Sequence, residues 1–424
     1  MDHTTTQHTV AAVWRIEAPH IIARLVRLAG DVGLAEEAAQ DALVEALARW
    51  PRVGVPENPG AWLMAAAKNR VLDQLRRQTT YQRKQDQLQL EGDTLQASAP
   101  PPPDEHPDTR VQDDLLRLIL ISCHPVLTPE SRVALTLRRL GGLTTAEIAR
   151  SVLITETTAA QRIVRAKKTL RDAGVPFEAP AGEDLAGRLD SVLEVLYLIF
   201  NEGYTATGGS EWMRPALAEE ALRLGRVLAE LAPNEAEVHG LVALMELQAS
   251  RSRARVDAQG RPVLLLDQNR SRWDPLLIRR GLSALHRALS SETAAGVYTL
   301  QAAIAACHAR ARRPEHTNWP EISRLYGWLA QIAPSPVVEL NRAVAISFVE
   351  GPAAGLTHLD PLTMLPSMAS YHLLPSVRAD FLCRLGRHDE ARAEFERAAS
   401  LTHNQREREL LLERADRCAA HVPV

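Results

Sequence analysis

The chain has 424 residues, room for about three domains at ~150 residues each. Its 46% hydrophobic and 24% charged content fits an ordinary globular protein and excludes fibrous, disordered and membrane-embedded classes. A net charge of −3 excludes a surface uniformly committed to nucleic acid, and the four cysteines, Cys123, Cys307, Cys383 and Cys418, fall at no metal-quartet or disulfide-framework spacing. They read as packing residues in a reduced setting, with no metal and no cofactor expected. The opening MDHTTTQHTV lacks the basic start and apolar core of a signal peptide, and no run nears ~18 apolar residues. A cytoplasmic location without a membrane partner is therefore expected.

Almost every segment carries apolar residues at helical spacing within Ala-, Leu-, Arg- and Glu-rich sequence, so the fold class expected is all-α. From Asp31 to Ala48 the carboxylates Asp31, Glu36, Glu37, Asp41 and Glu45 occur without any Lys or Arg. On a helix, Glu37, Gln40, Asp41 and Val44 share one face, which suits a basic protein partner and repels DNA phosphates. The same pattern also suits a solvated helix surface. After PRVGVPENPG comes AWLMAAAKNRVLDQLRRQ, a helix with Trp62 near its start and Lys68, Arg70, Arg76 and Arg77 further on. Its basic stripe can neutralise phosphates, while Trp62 and Asn69 offer stacking and base-edge hydrogen bonds to unpaired bases. Trp62 equally suits a core anchor.

Between Gly92 and Arg110 a four-proline run with almost no large apolar residue reads as a linker. Beyond it, DDLLRLILISCHPVLTPESRVALTLRRL supplies two apolar-periodic helices, and GGLTTAEIARSVLITETTAAQRIVRAKKTLRDAG reads as helix, tight turn, helix. Thr144 or Thr145 is placed to cap the first helix, with Glu147 in capping-box reach. Ala149 is small where the helices cross, and Ile148, Val152 and Ile163 form the expected miniature core. The second helix carries Arg162, Arg165, Lys167, Lys168 and Arg171. In a major groove, Gln161 and Arg162 can pair bidentately with adenine and guanine, while Arg165 and Lys168 suit the backbone.

A second break, AGVPFEAPAGED, precedes the C-terminal half. There LAELAPNEAEVHGLVAL from Leu228 echoes LAQIAPSPVVELNRAVA from Leu329, near three 34-residue units. Close to the end, Ala391, Phe395 and Ala398 fit the close helix-pair packing of a tetratricopeptide repeat, with Gly386 at the turn. In LYLIFNEGYTATGG, Asn201, Glu202 and Tyr204 suit a helix stop, a packing cluster, an interdomain contact or a ligand site. Trp212, Trp273, Trp319 and Trp328 read as repeat core.

The order of these parts resembles the extracytoplasmic-function class of bacterial sigma factors, on EEAAQDALVEAL, ENPGAWLMAAAKNRVLDQLRR and LTTAEIA…AQRIVRAKKTL. The resemblance spans about residues 10 to 172 and implies a non-catalytic initiation subunit that binds core RNA polymerase and promoter DNA. It puts Glu37, Gln40 and Asp41 on the polymerase-docking face. Trp62, Asn69 and Arg70, followed by Arg76 and Arg77, fall at the minus-10 element, and Gln161, Arg162, Arg165 and Lys168 at the minus-35 element. Ala160 stands where many relatives carry an Arg. The implied division is region 2 at 1–84, a flexible linker at 85–112, region 4 at 113–175 and a repeat-like regulatory extension at 185–424. The extension resembles that of a subgroup regulated through it rather than by a membrane-bound anti-sigma factor, often encoded beside small YCII-related proteins, and a protein partner for the repeats is expected. The alternative is a free-standing helix-turn-helix regulator with a repeat-type sensor, which has no use for the acidic helix. An enzyme built on Glu202, His239 or Cys307 lacks nucleophile–base spacing, phosphate loop and metal quartet.

Overall fold

In a computed structural model of the chain, the described residues are 3–89, 107–141, 143–152, 154–175, 183–206 and 212–419. Residues 90–106, 176–182 and 207–211 lie outside them, and the linker expected at 85–112 is helical at both its ends, 85–89 and 107–112, where the flanking helices run on. Among the described residues every regular element is a helix, beside one isolated bridge between Val256 and Pro262, as the periodicity predicts. Two compact units divide the chain, Met1–Val195 and Leu196–Val424.

In the first unit, α1 (His3–Ala29) packs on α2 (Val32–Val53) and α3 (Pro59–Gln89). Asp31 starts α2 by accepting the Leu34 N–H at 2.8 Å, which satisfies one of the orphan donors of a helix start. Ala35, Ala38, Ala39, Ala42 and Ala46 give α2 a small buried stripe, so α1 approaches it closely. Asn58 caps α3 through the Ala61 N–H at 3.0 Å, with Pro59 in the first turn, where its missing N–H costs nothing.

The unit continues through α4 (Pro107–Ser122), α5 (Pro129–Arg139), α6 (Thr145–Ser151) and α7 (Glu156–Asp172) to α8 (Glu183–Tyr204), inside which the unit boundary falls. The capping box forms on Thr144: its hydroxyl accepts the Glu147 N–H at 3.2 Å, and the Glu147 carboxylate accepts the Thr144 N–H at 2.7 Å. Thr155 caps α7 likewise, through the Thr158 N–H. Ile148, Ala149 and Ile163 are buried between the two helices, and Val152 is half-buried. Arg132 of α5, itself buried, donates to Ser191 at 2.6 Å and to Glu194 at 2.8 Å, anchoring the first half of α8.

In the second unit, α9 (Pro215–Leu231) and α10 (Ala236–Ala249) are followed by a long connection to α11 (Pro275–Leu289) and α12 (Val297–Arg310). Next come α13 (Trp319–Ile332), α14 (Pro336–Val349), the short α15 (Pro352–Leu359), α16 (Leu373–Arg384), α17 (His388–Leu401) and α18 (Gln405–Ala419). From α12 onward each helix packs on the next. The internal echo is structural: α9 and α13 both end on an alanine, Ala232 and Ala333, whose N–H bonds back to Leu228 and Leu329 before a proline turn opens the next helix. Ala391, Phe395 and Ala398 are fully buried, and Gly386 makes the α16–α17 turn at φ +75°, where a Cβ is disfavoured.

The LYLIFNEGY cluster is packing. Glu202 pairs with Arg214, and Gly203 admits the start of α9 so closely that a Cβ there would lie 2.3 Å from the Ala218 nitrogen. The buried Arg255 guanidinium sits 3.5 Å from the centre of the Tyr204 ring and donates to the Tyr204 carbonyl and to Thr205, closing the helix end. Burial pulls its pKa down to about 10. Of the four tryptophans expected in the core, Trp273 is buried and Trp212 and Trp319 are half-buried. Trp328 instead lies on the surface under Arg324.

Candidate nucleic-acid and partner-binding surfaces

The five carboxylates of the acidic segment divide into different jobs. Asp31 is a cap, Glu45 pairs with Arg49 at 3.9 Å and Arg70 at 3.5 Å, and Glu36 is buried. Glu37 and Asp41 remain exposed one turn apart, with half-buried Gln40 between them and Val44, 65% exposed, a turn further. The face thus carries two exposed carboxylates and one exposed apolar side chain.

On α3, Lys68, Asn69, Arg70, Arg76 and Arg77 are exposed. Arg76 pairs with Asp73 at 3.7 Å, and such exposed pairs, worth ~0–1 kcal/mol, yield readily to a phosphate. Trp62 is half-buried, its ring edge-on to buried Trp50 with centroids 5.4 Å apart. Its ring packs on Trp50 and part of it stays at the surface.

Helix α7 turns Ile163, Ala166 and Leu170 inward. Gln161, Val164, Arg165 and Lys168 face out, and Arg162 is half-buried. Of the basic residues of this helix, Lys167 points elsewhere: with buried Arg139 it pairs to Glu36 of α2. Burial by itself would raise the Glu36 pKa, but the charges of Arg139 and Lys167 outweigh it and hold the carboxyl below its usual range. This three-residue clasp joins the helix-turn-helix to the acidic helix. Beside it lies a groove of ≈ 340 Å³ whose walls include Trp14, Gln40, Val44, Leu47, Arg138 and Glu147.

Three family models match the chain: sigma-70 region 2 at residues 14–81, sigma-70 region 4 at 117–170, and a family of unknown function at 188–289. An uncharacterized protein of Rhizobium meliloti (strain 1021) is 42% identical over 406 residues, covering 95% of this chain and 94% of that protein. The chain belongs to the family of that protein. A probable ECF RNA polymerase sigma factor, SigI of Mycobacterium tuberculosis, is 27% identical over 45% of this chain and 68% of its own length, in both strains compared. No solved structure matches.

Region 2 thus holds α2 and the basic part of α3, region 4 holds the helix-turn-helix, and the pair of regions is that of a sigma factor. The match at 188–289 covers the packing cluster around Tyr204 and Arg255. No helix among the described residues is long and apolar enough to cross a membrane.

Sequence reasoning put Glu37, Gln40 and Asp41 on one helix face, where Glu37 and Asp41 are exposed and Gln40 is half-buried, and of Gln161, Arg162, Arg165 and Lys168, which it named together, all but half-buried Arg162 are exposed. It missed the work of Glu36 and Lys167, and it missed Val164, an apolar side chain 64% exposed amid the cations of α7. A period-3.6 count places Val164 outside the apolar stripe of Ile163, Ala166 and Leu170, and that was the available signal.

Proposed function

We propose that this protein is an extracytoplasmic-function sigma factor that docks on core RNA polymerase through Glu37, Gln40, Asp41 and Val44 and directs initiation at promoters of two elements. The observation that carries the reading is helix α7. It is capped at its start, packed by one apolar stripe, and outside that stripe it offers an amide, an apolar contact and cations in the order Gln161, Arg162, Val164, Arg165, Lys168. Amide and guanidinium suit adenine and guanine edges, Val164 suits a thymine methyl, and Arg165 and Lys168 suit phosphates. Trp62, Asn69, Arg70, Arg76 and Arg77 then serve the minus-10 element, where an exposed amide and cations meet opened DNA.

The subunit catalyses nothing in this reading; its chemistry is recognition and strand capture. The C-terminal unit, a set of helical pairs resembling tetratricopeptide repeats, modulates that activity through a protein partner. A free-standing operator binder does not need the acidic and apolar face of α2. Co-elution with purified core polymerase tests the reading: the native chain should bind, and Glu37→Lys with Asp41→Lys should remove binding while leaving the helical circular dichroism unchanged. Equal affinity in the charge-reversed protein would make that face a solvated surface and refute the docking assignment.

A further inference from the structure

The last three helices bring together side chains that lie five and thirty residues apart in sequence: Cys383 in the last turn of α16, His388 opening α17, and Cys418 near the end of α18. Their ligand-capable atoms all lie within 4.8 Å of one another, and the two sulfurs are 2.6 Å apart. From this geometry we propose a binding site for a thiophilic d10 cation of the Zn²⁺ type, held by the two thiolates and the imidazole. The proposal departs from the expectation that the cysteines serve only packing and that no metal belongs to the chain.

The donor set decides the class of ion. Two sulfurs and one nitrogen, with no carboxylate among them, select soft and borderline metals and are poor ligands for Ca²⁺ or Mg²⁺. Metal–sulfur bonds of ~2.3 Å in a tetrahedron set sulfurs ~3.8 Å apart, so the pair must open by about 1.2 Å. Cys383 is the one with room, being half-buried, whereas Cys418 is 1% exposed. Binding releases one proton from each thiol and leaves no other by-product. Three protein ligands leave a fourth position for water, the pattern of an exchangeable site rather than a closed structural one. An ion there would tie α16, α17 and α18 together at one end, independently of any role in transcription.

Cobalt titration of the untagged full-length chain, reduced and freed of reductant under argon, tests this. The expected result is one Co²⁺ per chain with a thiolate-to-metal charge-transfer band, displaced by Zn²⁺. Cys383→Ser should lose that band, and His388→Ala should weaken binding by at least the ~10–100-fold that loss of an outer-shell partner costs. Cys307→Ser should change neither, and circular dichroism checks each variant's helicity. The proposal fails if the reduced native chain takes up no ion, as it would if these cysteines serve only to form a disulfide. It also fails if a folded Cys383→Ser protein keeps the band and affinity of the native chain, and unchanged affinity in His388→Ala removes the imidazole from the site.

Discussion

Arg162 and Lys168 stand on one helix but should fail differently. Arg162→Ala removes a base-edge contact worth about 1–3 kcal/mol of discrimination, so the preference at one upstream position should relax in a binding-site selection. Lys168→Ala removes a phosphate contact and should weaken all sites alike, lowering the salt slope of binding by ~1. An unchanged preference in Arg162→Ala would take that residue off the bases. Glu36 makes a different prediction. Exchanging it for Gln leaves Arg139, 2% exposed, without a countercharge, a loss on the order of 3 kcal/mol by the measure of broken buried pairs, which thermal unfolding should register. Because the Glu36 pKa is lowered in the fold, the clasp contributes stability above the ordinary carboxylate range and loses it only as pH falls through the depressed value. Capping residues were legible because their partners lie three positions away, as with Thr144 and Glu147. The role of Glu36 was not, since its partner Arg139 is 103 positions distant and charge patterning alone put it with its exposed neighbours.

At the scale of elements, α6 is the vulnerable one. It has seven residues and depends on the reciprocal Thr144–Glu147 box for two backbone and side-chain partnerships at its start. Thr144→Ala should cost about 0.5–2 kcal/mol and lower promoter affinity through the position of α7, read by thermal melting beside a DNA-binding assay. No loss of stability would show that packing of Ile148 alone sets the helix. Helix starts and apolar stripes were readable throughout the chain because they are local. The echo between Leu228 and Leu329 was readable as well, and it returns as two matching helix ends at Ala232 and Ala333. Trp328 was misplaced because a large aromatic predicts burial by residue type, whereas its helix turns it outward under Arg324. The convergence of Cys383, His388 and Cys418 was invisible for the opposite reason: their spacing follows no local rule and arises from three helix ends meeting.

At the scale of the whole molecule, the sequence break at 176–182 suggests a cut that the contacts advise against. Ser191 and Glu194 both accept from Nη1 of buried Arg132, so a chain ended before α8 removes both of those partners. Truncation after Val195, at the unit boundary, separates loss of the C-terminal unit from that damage. If the second unit modulates initiation, the 1–195 chain should bind core polymerase as the full chain does and differ from it in transcript yield. Equal yield would make the unit a passenger in that assay. The most direct measurement of the central claim is multi-round in vitro transcription with purified core polymerase and a randomised promoter library. Full-length protein should yield transcripts from templates sharing two short elements, with Arg162→Ala blurring the upstream one. Core polymerase that transcribes the library identically with and without the chain would contradict the assignment as a sigma factor.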